Sequence, residues 1–356
     1  MRDASLSFLK SILDAPSPSG FEQPVQRLWA AYVREFADKV TTDSHGNTIG
    51  VVNPGGSPRV MLAGHADEIG FMVKYIDDKG FLAFAAIGGH DTAIIPGRRV
   101  VVHTREGKVD GVIGKRAIHL LTAKERESPE TNIEKFWIDI GAKDKDEAKG
   151  LVEIGDPVTY LEGFKELRNG LATSRAIDDK IGSFMVAETL RALAENRSGL
   201  KAAVYGVSTV QEEIGLRGAT TSAFGVNPDV GVAIDVTHGT DSPDMDKRKA
   251  GEVTLGDGPT LSRGANFNHI VFDRLVAAAK DNDLPYQVEG APRGTGTDAN
   301  AIQLTRAGVA TGLMGVPLRY MHTPVEVMAL SDVENGVKIL ANFCSGLTSD
   351  VSFSLE

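Results

Sequence analysis

The feature that most constrains this chain of 356 residues is an alternation of strand and helix patterns that a β-only stretch interrupts. Apolar, β-branched runs that predict strands alternate with helical patterns over residues 1–69 and again over residues 163–356. Between them, residues 70–162 carry short β-branched runs that Gly, Pro and Asp-Gly turn signals separate. The sequence therefore predicts an α/β fold with a mixed sheet, discontinuous along the chain, into which a β-rich, barrel-like domain is inserted at residues 70–162.

Composition argues against several classes of protein. The formal net charge of −10 argues against a nucleic-acid-binding surface. The single cysteine, Cys344, excludes an internal disulfide framework and a thiolate zinc cluster, and it fits a reducing compartment. No apolar run approaches the roughly 20 residues that span a bilayer, and the N-terminal residues lack the apolar core of a signal peptide. We therefore expect a cytoplasmic protein with no membrane or nucleic-acid partner.

Two adjacent glutamates stand out within residues 204–218, VYGVSTVQEEIGLRG. The segment begins as a buried strand and then breaks into Glu212 and Glu213. Two carboxylates buried side by side would repel each other and lose their hydration, unless a cation or a shared proton relieved them. For an isolated pair the alternative interpretation is a solvent-exposed loop, so the choice depends on the residues elsewhere in the chain.

Four further sites carry acidic or imidazole groups at a strand end or in a glycine-flanked turn. They are His65 and Asp67 after the strand RVMLAG, Asp178 and Asp179 in SRAIDDKIG, Asp235 at the end of VGVAID, and His322 after VATGLMGVPLRYM. Because ligands bind at the carboxyl ends of strands in open α/β sheets, we expect these groups to converge in one crevice.

Nitrogen and oxygen ligands without a thiol are typical of a zinc, cobalt or manganese site. The set of two histidines and at least three carboxylates exceeds what one four-coordinate ion needs. A pair of metal ions that share a bridging carboxylate would use them all. The His-x-Asp spacing further suggests that Asp67 orients the imidazole of His65 from behind.

The sequence also predicts where the last helix of the chain begins. Apolar residues at helical spacing predict a helix that runs to Phe343. Ser331 is followed three residues later by Glu334, and this spacing predicts a capping box at the start of that helix.

The motifs that run through the chain resemble those of the tetrahedral and glutamyl aminopeptidases, a family of cytoplasmic dinuclear metallopeptidases. In chain order the shared motifs are APSPSGFE, GHADEIGF, GVIGKRAIHLL, WIDIGAKDKDEA, GDPVTY, RAIDDKIG, VQEEIGLRGA, AIDVTH, GTGTDANA and RYMHTPVE. They cover essentially the whole length. The resemblance implies a dimerisation domain at the β-rich insertion and dimers that assemble into a dodecamer. His90 in IGGHD departs from the family pattern, which concerns only the detail of one loop.

Carried over to this sequence, the family pattern implies a role for each site residue. It assigns His65 and Asp235 to one metal ion, Glu213 and His322 to the other, and Asp178 as the bridge between them. Glu212 would then be the general base. Asp179 would shape the bridging aspartate, through an unusual peptide bond between the two. The expected cofactors are two divalent metal ions per subunit, zinc or cobalt.

The resulting hypothesis is an aminopeptidase that removes the N-terminal residue from short peptides. Glu212 would take a proton from a water that bridges the metals and deliver it to the departing amine, with Asp67 supporting His65. The alternative is a dinuclear-metal deacylase or dipeptidase acting on an N-acylated amino acid or small amide, since it would share the metal machinery. A glycosidase is weaker, because its two carboxyl groups need separated positions about the sugar. A non-catalytic shell is disfavoured, because every expected ligand is present.

The motifs do not determine which substrate side chain is preferred. We expect the pocket to be lined by the loop that holds Thr297 and Asp298, and by the segment that leads to His322. Arg293 and Arg319 are candidates for pairing with an acidic substrate side chain, with solvent exposure or structural pairing as the alternative.

Overall fold

A computed structural model describes residues 1–128 and 130–355. Within these ranges the helices and strands, numbered along the chain, are α1 (Asp3–Asp14), α2 (Gln23–Val33), β1 (Lys39–Thr42), β2 (Thr48–Val52), β3 (Arg59–His65), β4 (Gly70–Ile76), β5 (Leu82–Ile87), β6 (Arg99–Thr104), β7 (Gly107–Gly114), α3 (Ala123–Glu127), β8 (Trp137–Asp139), α4 (Lys145–Leu151), β9 (Pro157–Tyr160), β10 (Lys165–Glu166), β11 (Leu171–Ser174), α5 (Ile177–Glu195), β12 (Ala203–Thr209), α6 (Arg217–Val226), β13 (Val230–His238), α7 (Lys247–Ala250), β14 (Thr260–Gly264), α8 (His269–Lys280), β15 (Gln287–Ala291), α9 (Asp298–Gln303), β16 (Ala310–Arg319), β17 (Glu326–Ala329) and α10 (Leu330–Ser345).

Eleven of the strands in the described ranges form one mixed sheet. Its path runs β1-β2-β12-β3-β13-β16-β17-β11-β10, with β14 paired to β16 and β15 paired to β14. The central strands β12, β3, β13 and β16 are parallel, whereas β2 and β17 flank them in the antiparallel direction. The carboxyl ends of the four parallel strands therefore lie at one edge. The predicted α/β fold with a mixed sheet is confirmed.

Six strands form a separate closed barrel in the order β4-β5-β8-β7-β6-β9. All of them lie between Gly70 and Tyr160, inside the range predicted for the insertion. Their apolar side chains form a core of their own, which includes Phe71, Leu82 and Ile138. The barrel-like character predicted from the short strands and frequent turn signals is therefore confirmed.

Helix α5 is the central helix of the main sheet. It packs on β3, β12 and β13 and is covered by α1, α2 and α10. Consecutive side chains such as Phe184, Met185 and Val186 are buried, as expected for a helix enclosed on all sides. Trp29 of α2 donates a hydrogen bond of 2.9 Å to the Ser183 carbonyl. Neither α5 nor any other helix in the described ranges is long and apolar enough to cross a membrane.

The last helix begins earlier than the sequence pattern predicts, and the predicted capping box is wrong. Helix α10 starts at Leu330, and its N-cap residue is Ala329, which has no side-chain capping bond. Ser331 lies inside the helix, while the carboxylate of Glu334 contacts the amino terminus of the chain. The reason is that β17 continues directly into α10, so its last extended residue takes the N-cap position.

A buried ionic cluster ties the amino-terminal segment to the sheet. Glu68, which follows β3, is 2% exposed and forms ion pairs with Arg175 and Lys180. It also accepts a hydrogen bond of 2.9 Å from the Ser17 backbone, and Lys180 donates one of 2.6 Å to the Ala15 carbonyl. Burial opposes ionisation of Glu68, but the two neighbouring cations lower its pKa from 4.5 to about 2. The cluster therefore contributes to stability only while all three charges are present.

We expect Glu68→Gln to lower the free energy of unfolding by about 3 kcal/mol near neutral pH, because two buried cations lose their counter-charge. Since the folded pKa is depressed from 4.5 to about 2, the contribution of Glu68 is fully present above pH 4.5 and disappears as the pH falls toward 2. Urea denaturation of wild type and variant at several pH values measures this difference. The exposed Glu106→Gln is the control, with an expected change below about 0.5 kcal/mol. An equally small effect at Glu68 would contradict the interpretation.

Candidate metal centre

The residues singled out in the sequence come together at the carboxyl edge of the parallel strands. His65 ends β3, Glu212 and Glu213 follow β12, Asp235 lies in β13, His322 follows β16, and Asp178 lies at the amino end of α5. All six line one cavity with a volume of about 600 Å³. This volume is within the range of pockets that bind small molecules.

The carboxylate of Asp178 lies between two imidazoles. Its Oδ1 is 3.3 Å from Nε2 of His65, and its Oδ2 is 3.2 Å from Nε2 of His322. Nε2 of His322 is also 3.6 Å from Oε1 of Glu213. Burial opposes the ionisation of Asp178, yet hydrogen bonds from His322 and His65 hold its pKa below the usual range. One oxygen directed at each imidazole is the arrangement that a carboxylate shared by two cations would need.

The buried Asp67 connects His65 to the pair of glutamates. Nδ1 of His65 lies 3.1 Å from the Asp67 carbonyl oxygen and 3.4 Å from its Oδ1. The carboxylate of Asp67 accepts the backbone N–H of Glu212 at 3.0 Å and that of Glu213 at 3.1 Å. The Ser19 hydroxyl donates a further hydrogen bond of 2.6 Å. Asp67 therefore positions two candidate ligand segments from behind, as the His-x-Asp spacing suggested for His65.

Glu326 positions Asp178 and His322 by accepting hydrogen bonds from their backbone, as Asp67 does for the two glutamates. The sequence pattern did not single out Glu326. Its Oε2 accepts the Asp178 backbone N–H at 3.1 Å, and its Oε1 accepts the His322 backbone N–H at 2.9 Å. The side chain is buried, and burial raises its pKa. The sequence feature that could have identified Glu326 is its position four residues after His322, at the end of the motif RYMHTPVE.

Strand β3 and helix α5 approach each other closely at Gly64. A Cβ on Gly64 would collide with the carbonyl carbon of Gly182 in α5. At this contact Asp179 accepts the His65 backbone N–H at 3.1 Å and the Gly182 backbone N–H at 3.0 Å. The peptide bond between Asp178 and Asp179 is cis, in line with the unusual bond that the family pattern implied. The close approach thus holds Asp178 beside His65.

The cavity concentrates buried carboxylates whose only described basic neighbours in the lining are histidines. Of the described residues that line it, none is a lysine or an arginine. Burial raises the pKa of Glu213 and of Asp235, and the nearby Asp178 raises both further although His65 opposes this.

Two groups of side chains at the cavity wall or directly behind it have ligand atoms within 4.8 Å of one another. They are His65, Asp178 and Glu213 in one group, and His65, Asp179 and Asp235 in the other. Imidazole nitrogens and carboxylate oxygens are suitable ligands for divalent ions such as zinc. The donor set therefore fits divalent cations, which would also neutralise the excess charge.

The residues suggested as substrate contacts differ in their positions. Thr297 lines the cavity. Asp298 is 1% exposed and accepts a hydrogen bond of 2.6 Å from the Thr209 hydroxyl, so it is not part of the described lining. Arg319 donates two hydrogen bonds to Asp241, at 2.8 and 2.6 Å. This is the structural pairing that was the alternative to binding an acidic substrate side chain. The described lining thus offers no arginine to an acidic substrate side chain.

The barrel contributes part of the cavity wall, a role that the sequence pattern did not indicate. Gly89, in the loop after β5, lines the cavity, and a Cβ there would lie 3.4 Å from Nδ1 of His322. His90 secures this loop, because its Nε2 lies 2.9 Å from the Gly70 carbonyl and its ring stacks on Phe71. Burial lowers the pKa of His90 to about 4, so the neutral ring donates to that carbonyl.

Known proteins resemble this chain over most of its length. Residues 46–339 match the M42 glutamyl aminopeptidase family. The lysyl aminopeptidase of Pyrococcus furiosus is 35% identical over 333 residues, covering 93% of this chain and 94% of that protein. A TET aminopeptidase from a marine sediment archaeon of the Thaumarchaeota superposes with a TM-score of 0.93 at 34% identity, covering 97% of each chain. The TET1 peptidase of Pyrococcus horikoshii gives a TM-score of 0.85 at 32% identity, covering 96% of this chain and 100% of that one.

We expect Gly64→Ala to lower the free energy of unfolding by about 1–3 kcal/mol, because the added methyl group would force β3 and α5 apart. Gly55→Ala is the matched control, since a Cβ there meets no described atom within 4 Å, and its effect should stay below about 0.5 kcal/mol. Urea denaturation of both variants measures the difference. Equal effects of the two substitutions would contradict the close approach at Gly64.

Proposed function

The chain belongs to the M42 glutamyl aminopeptidase family, and from that premise we propose that it removes N-terminal residues from short peptides with the help of two divalent metal ions. The observation that carries the proposal is the position of Asp178, with one oxygen directed at each of two imidazoles. It lies in a cavity whose buried carboxylates have no lysine or arginine beside them in the described lining. Such a cavity is suited to cations from solution.

In this proposal Asp178 would be a ligand of both ions. His65 and Asp235 would hold one ion with it, and Glu213 and His322 would hold the other. The distances of 3.2 and 3.6 Å from Nε2 of His322 to Asp178 and Glu213 support the second set. The mixture of nitrogen and oxygen donors favours zinc or cobalt. When bound, such ions make a nearby water more acidic and polarise the carbonyl group of a substrate.

We assign proton transfer to Glu212. Its side chain lines the cavity at 9% exposure, and its Oε2 lies 3.7 Å from Nε2 of His65. Burial raises its pKa, although the imidazole of His65 opposes this. A general base works best when its pKa lies near the operating pH, and cations bound beside Glu212 would lower its pKa toward that range by favouring the ionised carboxylate. Glu212 would accept a proton from the attacking water at a carboxylate oxygen and return it to the departing amine. The hydrogen bonds of Asp67 to the backbone of both glutamates would keep Glu212 free beside Glu213.

The alternative of a deacylase or dipeptidase with the same metal pair gains no support from the family, whose name describes the removal of N-terminal residues. The preferred N-terminal residue differs among these proteins, because the family is called glutamyl whereas the relative from Pyrococcus furiosus is a lysyl aminopeptidase. The family therefore supports the reaction more strongly than the substrate side chain.

Activity and metal content of two variants test the proposal. Loaded with zinc or cobalt, the wild type should cleave aminoacyl anilides with a free amine and not N-acylated amino acids. Glu212→Gln should retain two ions per chain while kcat falls about 100- to 10,000-fold, because only the base is lost. Asp178→Ala should lose bound metal, because the shared ligand is removed. Elemental analysis and anilide assays on the same preparations measure both. Near-normal turnover of Glu212→Gln, or two tightly bound ions in Asp178→Ala, would contradict the assigned roles.

We also propose that the chain forms homodimers through the barrel and that these assemble into a dodecamer. The TET1 peptidase of Pyrococcus horikoshii is described as a dodecamer and as able to form a tetrahedron or a large octahedral shell. The match to that chain covers 96% of the present one, including the barrel. Light scattering coupled to size exclusion should give twelve chains per particle. A monomer at micromolar concentration would contradict the proposal.

A further inference from the structure

The cavity extends from the candidate metal centre to a further acidic side chain, Glu289, which is not a candidate ligand. Asp235 and Thr237 share one face of β13, since residues two apart on a strand point the same way about 7 Å apart. Both line the cavity, as do Ser262 and Glu289. Ser262 and Glu289 are partners in the neighbouring strands β14 and β15. The lining therefore leads from a candidate metal ligand to a carboxylate that the proposed reaction does not use.

Gly315 leaves the floor of this cavity open. On β16 it pairs with Asp235 on one side and with Thr260 on the other. A Cβ at Gly315 would lie 2.5 Å from Oγ1 of Thr260 and 3.1 Å from Cβ of Thr237. Because no side chain stands there, both threonine hydroxyls reach Oε2 of Glu289, at 2.8 Å from Thr237 and 3.4 Å from Thr260. The two hydroxyls fix the carboxylate at the cavity wall.

The charge of Glu289 is not neutralised by the part of the chain that the structure describes. Its hydrogen bonds there are those from the two threonines, and both go to Oε2. Oε1 is thus available to a ligand. No lysine or arginine is found among the described lining residues, and Arg319 at the end of β16 is paired with Asp241. A half-buried carboxylate held in one orientation would interact favourably with a cation that enters the cavity.

We propose that Glu289 gives this enzyme a preference for substrates with lysine or arginine at the N-terminus. A lysine side chain carries its ammonium group on a flexible four-carbon stem, and arginine carries a guanidinium group with several donors. Thr237, which holds the Glu289 carboxylate at 2.8 Å, lies about 7 Å along β13 from Asp235, so a long cationic side chain would extend toward Glu289 from a backbone bound at the metal centre. An acidic side chain would be repelled there, and an apolar one would gain no charge-assisted hydrogen bond. The inference rests on the proposed aminopeptidase function and specifies its substrate class.

The test compares kcat/KM on lysyl, arginyl, leucyl and glutamyl anilides for the zinc-loaded wild type and Glu289→Gln. The wild type should prefer the lysyl and arginyl substrates. Glu289→Gln should lower kcat/KM on those two by about 10- to 100-fold, the effect expected for one hydrogen bond to a charged group. Its activity on the leucyl anilide should change by less than about threefold. The charge-reversal variant Glu289→Lys should favour the glutamyl anilide over the lysyl one.

Calorimetric titration with free lysine and free leucine gives a readout that does not depend on turnover. Lysine should bind the wild type more tightly than leucine, and Glu289→Gln should remove the difference. Glu35→Gln is the control, because Glu35 is exposed and lies outside the described cavity lining, and it should leave the lysine preference unchanged.

Three results would separate the inference from the function on which it rests. An unchanged lysyl-to-leucyl ratio in Glu289→Gln would overturn the inference. Equal losses on all four anilides would also overturn it, since they would indicate a structural role for Glu289 beneath Thr237. Lysine-selective binding that depends on Glu289, without cleavage of any anilide, would support the selectivity and contradict the peptidase function.

Discussion

The burial of several carboxylates at one edge of the sheet is the constraint on which the rest of this structure depends. Like charges that leave water repel one another, and only cations or shared protons relieve the cost. The chain supplies its own cations, Arg175 and Lys180, to Glu68. To Glu212 and Asp235, which line the cavity, it supplies no lysine or arginine in the described lining. The structure therefore contains buried acids of two kinds. Glu68 is neutralised by neighbouring cations and holds segments together, whereas the acids that line the cavity would be neutralised by the metal ions of the proposed function.

A second set of acids, which accept backbone hydrogen bonds, gives the site its geometry. Asp67 joins the end of β3 to the glutamate pair after β12, Asp179 joins α5 to β3, and Glu326 joins α5 to the turn after β16. Each of these carboxylates connects segments that are distant in sequence. Ligands that come from separate strands can hold a metal pair only if such supporting groups fix their orientation in advance. The number of acids near the cavity thus reflects support as well as ligation.

The convergence of the site residues at the strand ends could be predicted from the sequence, because parallel strands place their carboxyl ends at one edge. The barrel could be predicted because its turn signals are local. What could not be predicted depends on partners far away in sequence. Glu326 binds the backbone of Asp178 148 positions earlier, and Arg319 pairs with Asp241 78 positions away; neither contact leaves a local pattern. Ser331 fitted a local capping rule, but the direct continuation of β17 into α10 overrode it. The division of ligands between two metal ions came from the family resemblance, since spacing alone left it open.

If Glu289 selects the substrate residue as proposed, its location would let substrate preference change separately from the chemistry of the reaction. The candidate ligands come from the four central parallel strands and from α5, where a change of backbone would disturb the whole sheet. Glu289 comes from β15, which pairs only with β14 among the described strands. A different side chain on this outer strand would change the cavity wall and leave the parallel strands in place. On this proposal, relatives with the same ligand residues would be able to differ in the N-terminal residue that they remove, because the two properties would depend on separate parts of the sheet.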